Sequence, residues 1–203
     1  MAKLIEDDNK TKANGLLNTA YKLAASSVQR EEACHHTRRV TLLESSHVGS
    51  MALLASILFA QGKTTPALET ASNLVEDLRT LCSQLGTQEC EVLYGKAGAL
   101  QAILFLRKEL QDDTIGAELA VELATAIVRQ GLANSAARLQ GRTLPLLWQW
   151  HDKIYLGAAH GVVGILQTLL SLNRNELQAV NATLQVDTLQ LVQNNLDELD
   201  RSC

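Results

Sequence analysis

Cysteine and histidine are the side chains in this 203-residue chain best able to ligate a metal, attack as nucleophiles or carry protons. The cysteines are Cys34, Cys82, Cys90 and Cys203, with no Cys-x-x-Cys and no His-x-x-x-His among them and the histidines. Zinc needs three or four such ligands, usually in close pairs. Cys34, His35 and His36 are consecutive, so on a helix they point in different directions. The expectation is that this chain holds no metal site. Cys82 reads as a core residue on a helical stripe, and Cys90 as a loop thiol. Other enzyme signatures are incomplete. Gly62-Lys63-Thr64 lacks the upstream glycine of a phosphate loop. There is no Gly-x-Ser-x-Gly, and Gly157, Gly161 and Gly164 do not follow a strand. Asp112-Asp113 and Glu31-Glu32 read as solvated helix-end charges. Trp148, Trp150 and His151 form the one aromatic-rich loop. Such a loop either lines a ligand mouth or plugs the core, and its spacing leaves both open.

The elements that must position these groups are helical. Leu, Ala and Gln abound, and Pro66 and Pro145 are the only prolines, which predicts an all-α protein. A mostly polar first helix runs from about Asn9 to about Cys34. From Gly49 to Ala60 the chain is apolar nearly all round. Thr65-Pro66 reads as N-cap and first position of the next helix, with a stripe of Leu68, Leu74, Val75, Leu78, Leu81, Cys82 and Leu85. A second apolar run begins at Ala99, followed by an amphipathic helix on Ile115, Leu119, Leu123 and Ile127. A third runs from Val162, and a last helix starts near Asn173, whose spacing to Glu176 fits a capping box. That helix is expected to extend through Leu191 and Val192. Three apolar helices open on small residues: Ser46-His47-Val48-Gly49, Gly95-Lys96-Ala97-Gly98 and Gly161-Val162-Val163-Gly164. An inner layer of apolar helices wrapped by amphipathic ones is the natural arrangement; an ordinary bundle is the alternative.

Composition narrows the partners. The net charge is −4 and the pI about 5.7, so no basic field exists to hold nucleic acid. Ala2 excludes N-myristoylation, the N-terminus lacks a secretory apolar region, and the run from Met51 to Ala60 is far short of the ~20 residues of a spanning helix. Four cysteines without a framework fit a reducing compartment. The expected location is cytoplasmic, with peripheral association at the plasma membrane left open.

Two segments carry a resemblance. Leu93-Tyr94-Gly95-Lys96-Ala97-Gly98 and Tyr155-Leu156-Gly157-Ala158-Ala159-His160-Gly161-Val162-Val163-Gly164-Ile165 resemble repeat signatures of the eukaryotic LanC-like (lanthionine synthetase C-like) proteins. Pro145 to Asp152 resembles the segment preceding the Ala-Ala-His-Gly motif there. The likeness is good from Val92 to Leu170 and weaker back to Arg39.

The resemblance implies an α/α toroid of helical hairpins, with the active site at the mouth of the inner ring. This chain is expected to form an incomplete toroid of about three hairpins, over residues 39–203, after a polar helical segment at 1–38. The family reaction so implied is addition of the glutathione thiol to dehydroamino acids in proteins, with zinc activating the thiol. The family's Trp-Cys-x-Gly and Cys-His-Gly zinc motifs are absent from this chain. Zinc is therefore expected in complete family members and not here, and this chain alone is expected to be inactive. His160, in the matching motif, is the candidate acid or base. Lys96 is a candidate anion contact, and Tyr94 and Trp150 are the other candidate substrate contacts. The alternative is a non-catalytic helical interaction protein or a degenerate truncated product. An open arc is also expected to expose apolar flanks at both ends. At ~25 cal/mol per Å² such exposure favours oligomers or aggregates.

Overall fold

Long runs of good helix formers, broken by short glycine and polar turns, give eight helices among the described residues. The structure is a computed structural model, described over residues 2–33, 47–135, 138–139 and 142–201. In chain order the helices are α1 (Ala2–Ala33), α2 (His47–Ala60), α3 (Thr64–Ser83), α4 (Lys96–Leu110), α5 (Ala117–Ala133), α6 (Val162–Leu170), α7 (Arg174–Leu184) and α8 (Thr188–Asp200). Between α5 and α6 lies a minimal antiparallel ribbon of β1 (Arg138–Leu139) and β2 (Arg142–Thr143), pairing Arg138 with Thr143. Apart from this ribbon the architecture of the described residues is all-α. The expected boundary at residue 38 lies outside the described residues, as do Cys34, His35, His36, Ser46 and Cys203.

Short turns join α2 to α3, α4 to α5 and α6 to α7. Helix α4 packs against both α2 and α6, so these three apolar helices form one layer. Both α2 and α4 are buried on most of their surface. The amphipathic partners lie outside: α5 packs on α7, and Arg79 of α3 forms an ion pair with Glu122 of α5. The inward stripe of α3 is Ala67, Ala71, Leu74, Leu78 and Leu81. That set follows the helical period, which puts Leu68 out of register and leaves it exposed. Helix α3 also begins at Thr64, one residue before the expected N-cap, with Pro66 accommodated in its first turn.

The capping box is present. Asn173 accepts from the Glu176 N–H, and Glu176 accepts from the Asn173 N–H. The expected single last helix is instead two helices. Gln185 adopts a left-handed conformation (φ 56°) that ends α7, and Asp187 caps α8 by accepting from the Gln190 N–H. A buried ion pair, Arg107 to Glu176 at 2.7 Å, ties α4 to α7.

The ends of the inner layer are not bare. Helix α1 lies along α2, contributing Ala24 and Val28 to the core. Helix α8 lies beside α6 and α7 and contributes Val192. Apolar exposure persists at Leu16 (73%) and Leu23 (67%) on α1 and at Val163 and Leu170 on α6. Among the described residues no helix is long and apolar enough to cross a membrane.

Candidate active site

The loops before α4 and α6 fold back on the helices they precede in the same register. Lys96 and Ala97 N–H donate to the Glu89 and Cys90 carbonyls, at 3.0 and 3.3 Å; Val162 and Val163 N–H donate to Tyr155 and Leu156, at 2.9 and 3.2 Å. These bonds satisfy N–H groups that a helix start leaves unpaired. The fold-back leaves no room for side chains at the helix entries. A Cβ on Gly95 would stand 2.6 Å from the Glu91 nitrogen, one on Gly161 2.5 Å from Gly157 backbone atoms, and one on Gly164 1.9 Å from the Ala158 carbonyl oxygen. The glycines of the repeat signature are thus required by close approach; the backbones of Gly95 and Gly161 are extended, with negative φ. The two loops are joined directly, Val92 N–H donating to the Ala159 carbonyl at 3.1 Å.

This junction brings His160 to Glu91. The His160 Nδ1 lies 2.7 Å from Glu91 Oε2. Glu91 is 2% exposed and also accepts from the Leu93 N–H at 2.8 Å and from the Tyr94 N–H. An acceptor-only carboxylate requires a proton on Nδ1, so that in the neutral imidazole Nε2 carries the lone pair. The His160 side chain is 25% exposed, so the pair sits at the surface with its carboxylate inside.

An aromatic group surrounds the imidazole. The Trp150 indole lies nearly parallel over it, centroids 4.0 Å apart and planes 4° from parallel. Tyr94 is 6.0 Å and Tyr155 6.1 Å from the His160 ring. His151 meets the edge of Trp150 at 4.3 Å. Of the two readings of the tryptophan loop, the core plug is met at Trp148, whose Nε1–H donates to the Ile127 carbonyl at 2.9 Å. Trp150 stacks on His160.

His160, Tyr94 and Trp150 are therefore brought together. Lys96 is not. It is buried, and its ammonium donates to the carbonyls of Gly86 at 2.5 Å and Glu89 at 3.5 Å. It braces the loop before α4, and no contact among the described residues joins it to the aromatic group. Sequence reasoning missed Glu91 and Tyr155. Tyr155 lies inside the motif that carries His160, whereas Glu91 offers only an acidic residue ahead of an aromatic-glycine helix start.

Burial pushes the thiols of Cys82 and Cys90 up to about 11. Cys90 is fully buried. No group of three or more His, Cys, Asp or Glu among the described residues is arranged to hold a metal ion. Cys82 and Cys90 therefore lack the companion ligands that a zinc ion needs, and among the described residues nothing fits the zinc the resemblance implies. Asp112 ends its turn by accepting from the hydroxyl and N–H of Thr114, which hold its carboxyl below the usual range.

Comparison with known proteins agrees with the family resemblance. A family model described as lanthionine synthetase C-like protein matches residues 3–202. Similar proteins include the glutathione S-transferase LANCL1 of Danio rerio, 25% identical over 135 residues, which are 66% of this chain and 33% of that protein. Another is LanC-like protein GCL1 of Arabidopsis thaliana, 35% identical over 97 residues, 47% of this chain and 22% of that protein. The matched region thus spans 33% and 22% of the length of these relatives.

Proposed function

The chain belongs to the lanthionine synthetase C-like family, and from that premise we propose that it carries the proton-transfer half of a site for adding a thiol to a dehydroamino acid. The observation that carries this reading is the His160–Glu91 pair, with its carboxylate buried and its imidazole under Trp150. Nε2 accepts the proton of the incoming thiol. The thiolate sulfur bonds to the β-carbon, the carbon–carbon double bond becomes a carbanion at the α-carbon, and Nε2 returns the proton there. Atoms and charge balance, and no metal enters these steps. Glu91 holds the ring in the required tautomer and stabilises the imidazolium between the two transfers. The name of the Danio rerio relative supports glutathione as the thiol, and the family resemblance supports a protein or peptide acceptor.

The test is glutathione addition to a dehydroalanine peptide, followed by mass spectrometry against the uncatalysed rate. His160→Gln is expected to abolish the enzymatic rate. Glu91→Gln offers an amide donor to Nδ1 and inverts the tautomer, so a loss of at least about 100-fold is expected. Nitrogen NMR on labelled histidine reads that inversion directly. A wild-type rate equal to that of His160→Gln would sink the catalytic reading and leave the pair as part of the helical scaffold.

A further inference from the structure

Helix α8 supplies no residue to the aromatic group, yet it holds the loop that delivers one. Asn195 sits in the interior of α8 and is 0% exposed. Asparagine is a weak helix former, and a buried amide is costly unless both its ends are paired. Both are paired, and to one residue. The Leu146 N–H donates to Asn195 Oδ1 at 2.7 Å, and Asn195 Nδ2 donates to the Leu146 carbonyl at 2.7 Å. The side chain thus imitates a neighbouring strand for a segment that has none.

The loop beyond Leu146 follows a fixed path. Leu147 N–H donates to the Gly131 carbonyl at 3.1 Å, and the Trp148 Nε1–H to Ile127. Trp150 and Lys153 exchange backbone hydrogen bonds at 2.9 and 3.1 Å across a turn in which His151 and Asp152 both have positive φ. At the end of this path the Trp150 indole covers His160.

We propose that Asn195 is a positioning residue, latching the 144–150 loop to α8 so that Trp150 stays stacked on the His160 imidazole. The proposal rests on the catalytic reading of His160 for its consequence, but not for its test.

An indole parallel to an imidazole at this distance shifts the imidazole carbon-bound protons upfield by its ring current. His160→Gln assigns the resonance in a histidine-labelled sample, and Trp150→Leu gives its unshielded position. Asn195→Leu keeps the branching at Cγ and removes both hydrogen bonds. In that variant the His160 resonance is expected to move at least half way from the wild-type position to the Trp150→Leu position. Glutathione addition is expected to fall roughly 10- to 100-fold, in kcat more than in KM, because the base is misplaced. A folded Asn195→Leu protein with the wild-type His160 resonance overturns the latch. If Asn195→Leu does not fold, Asn195→Asp, which keeps the acceptor and loses the donor, is read in the same way. Failure of both to fold also overturns it, making Asn195 a core residue of the whole domain. A shifted resonance in a protein without addition activity in any form keeps the latch and sinks the catalytic reading alone.

Discussion

At the residue scale, burial separates the groups that can react from those that pack. His160 keeps a quarter of its side chain in solvent and a carboxylate behind it. Cys90 is fully buried and Cys82 half-buried, and desolvation pushes both thiols up to about 11. Alkylation at pH 8, mapped by mass spectrometry, is therefore expected to spare Cys82 and Cys90 until denaturant is added. The same shift has a sign for stability. A thiol raised in the folded state binds its proton more tightly there than in the unfolded chain. Its contribution is whole below the unfolded value of about 8.5 and is lost as pH rises toward about 11. Denaturant midpoints are expected to fall over that window, and less steeply in a Cys82→Ala, Cys90→Ala variant. An equal slope would show that other groups carry the effect. Sequence spacing put Cys82 on an amphipathic stripe, and it packs half-buried against the core rather than within it. Spacing could not reveal that the loop thiol Cys90 is fully buried, because that depends on the loop folding back onto α4. Glu91 was hidden for the same reason: its partner lies 69 residues away.

At the element scale, the repeated glycines act through space rather than through φ. The loop before α6 passes so close to the helix that a Cβ on Gly164 would overlap the Ala158 carbonyl at 1.9 Å, whereas one on Gly157 would meet nothing within 4 Å. Gly164→Ala is thus expected to cost about 1–3 kcal/mol through forced backbone shifts and to displace His160, which sits between Ala158 and the helix. Gly157→Ala, in the same loop, is expected to leave thermal unfolding and the His160 resonance nearly unchanged. Equal effects at the two positions would refute the close-approach account. The glycine spacing itself was readable, and so were the apolar helices it opens. The break between α7 and α8 was not. Gln185 turns left-handed without glycine or proline to mark it, and the apolar residues on either side share one face. Asp187, which caps α8 by accepting from the Gln190 N–H, was not read as a helix start.

At the scale of the whole molecule, the question is whether the hairpins stand or fall together. Helix α4 touches α2, α3, α5 and α6, so no hairpin has a core of its own. The covering of the inner layer by α1 and α8 removes much of the bare surface that sequence alone led one to expect at its two ends. The second and third hairpins are also linked by the ion pair of Arg107 and Glu176, each 5% exposed at its side chain. Arg107 also donates to the Ile115 carbonyl at 2.7 Å, and Glu176 completes the cap of α7. Removing one partner of such a pair leaves a buried charge uncompensated, a loss of about 3–5 kcal/mol. For a domain of this size that lowers the melting temperature by roughly 10 °C. Arg107→Met is expected to shift a single cooperative transition by that amount, because the stranded Glu176 charge lies between hairpins that share one core. Adding Glu176→Gln removes the charge and keeps the capping acceptor, so more than half the loss should return. Calorimetry on the single and double variants checks both statements. Two resolved transitions in Arg107→Met would mean that the hairpins unfold separately. The site at the loop junction, built from the entries of α4 and α6, would then depend on an interface rather than on one core.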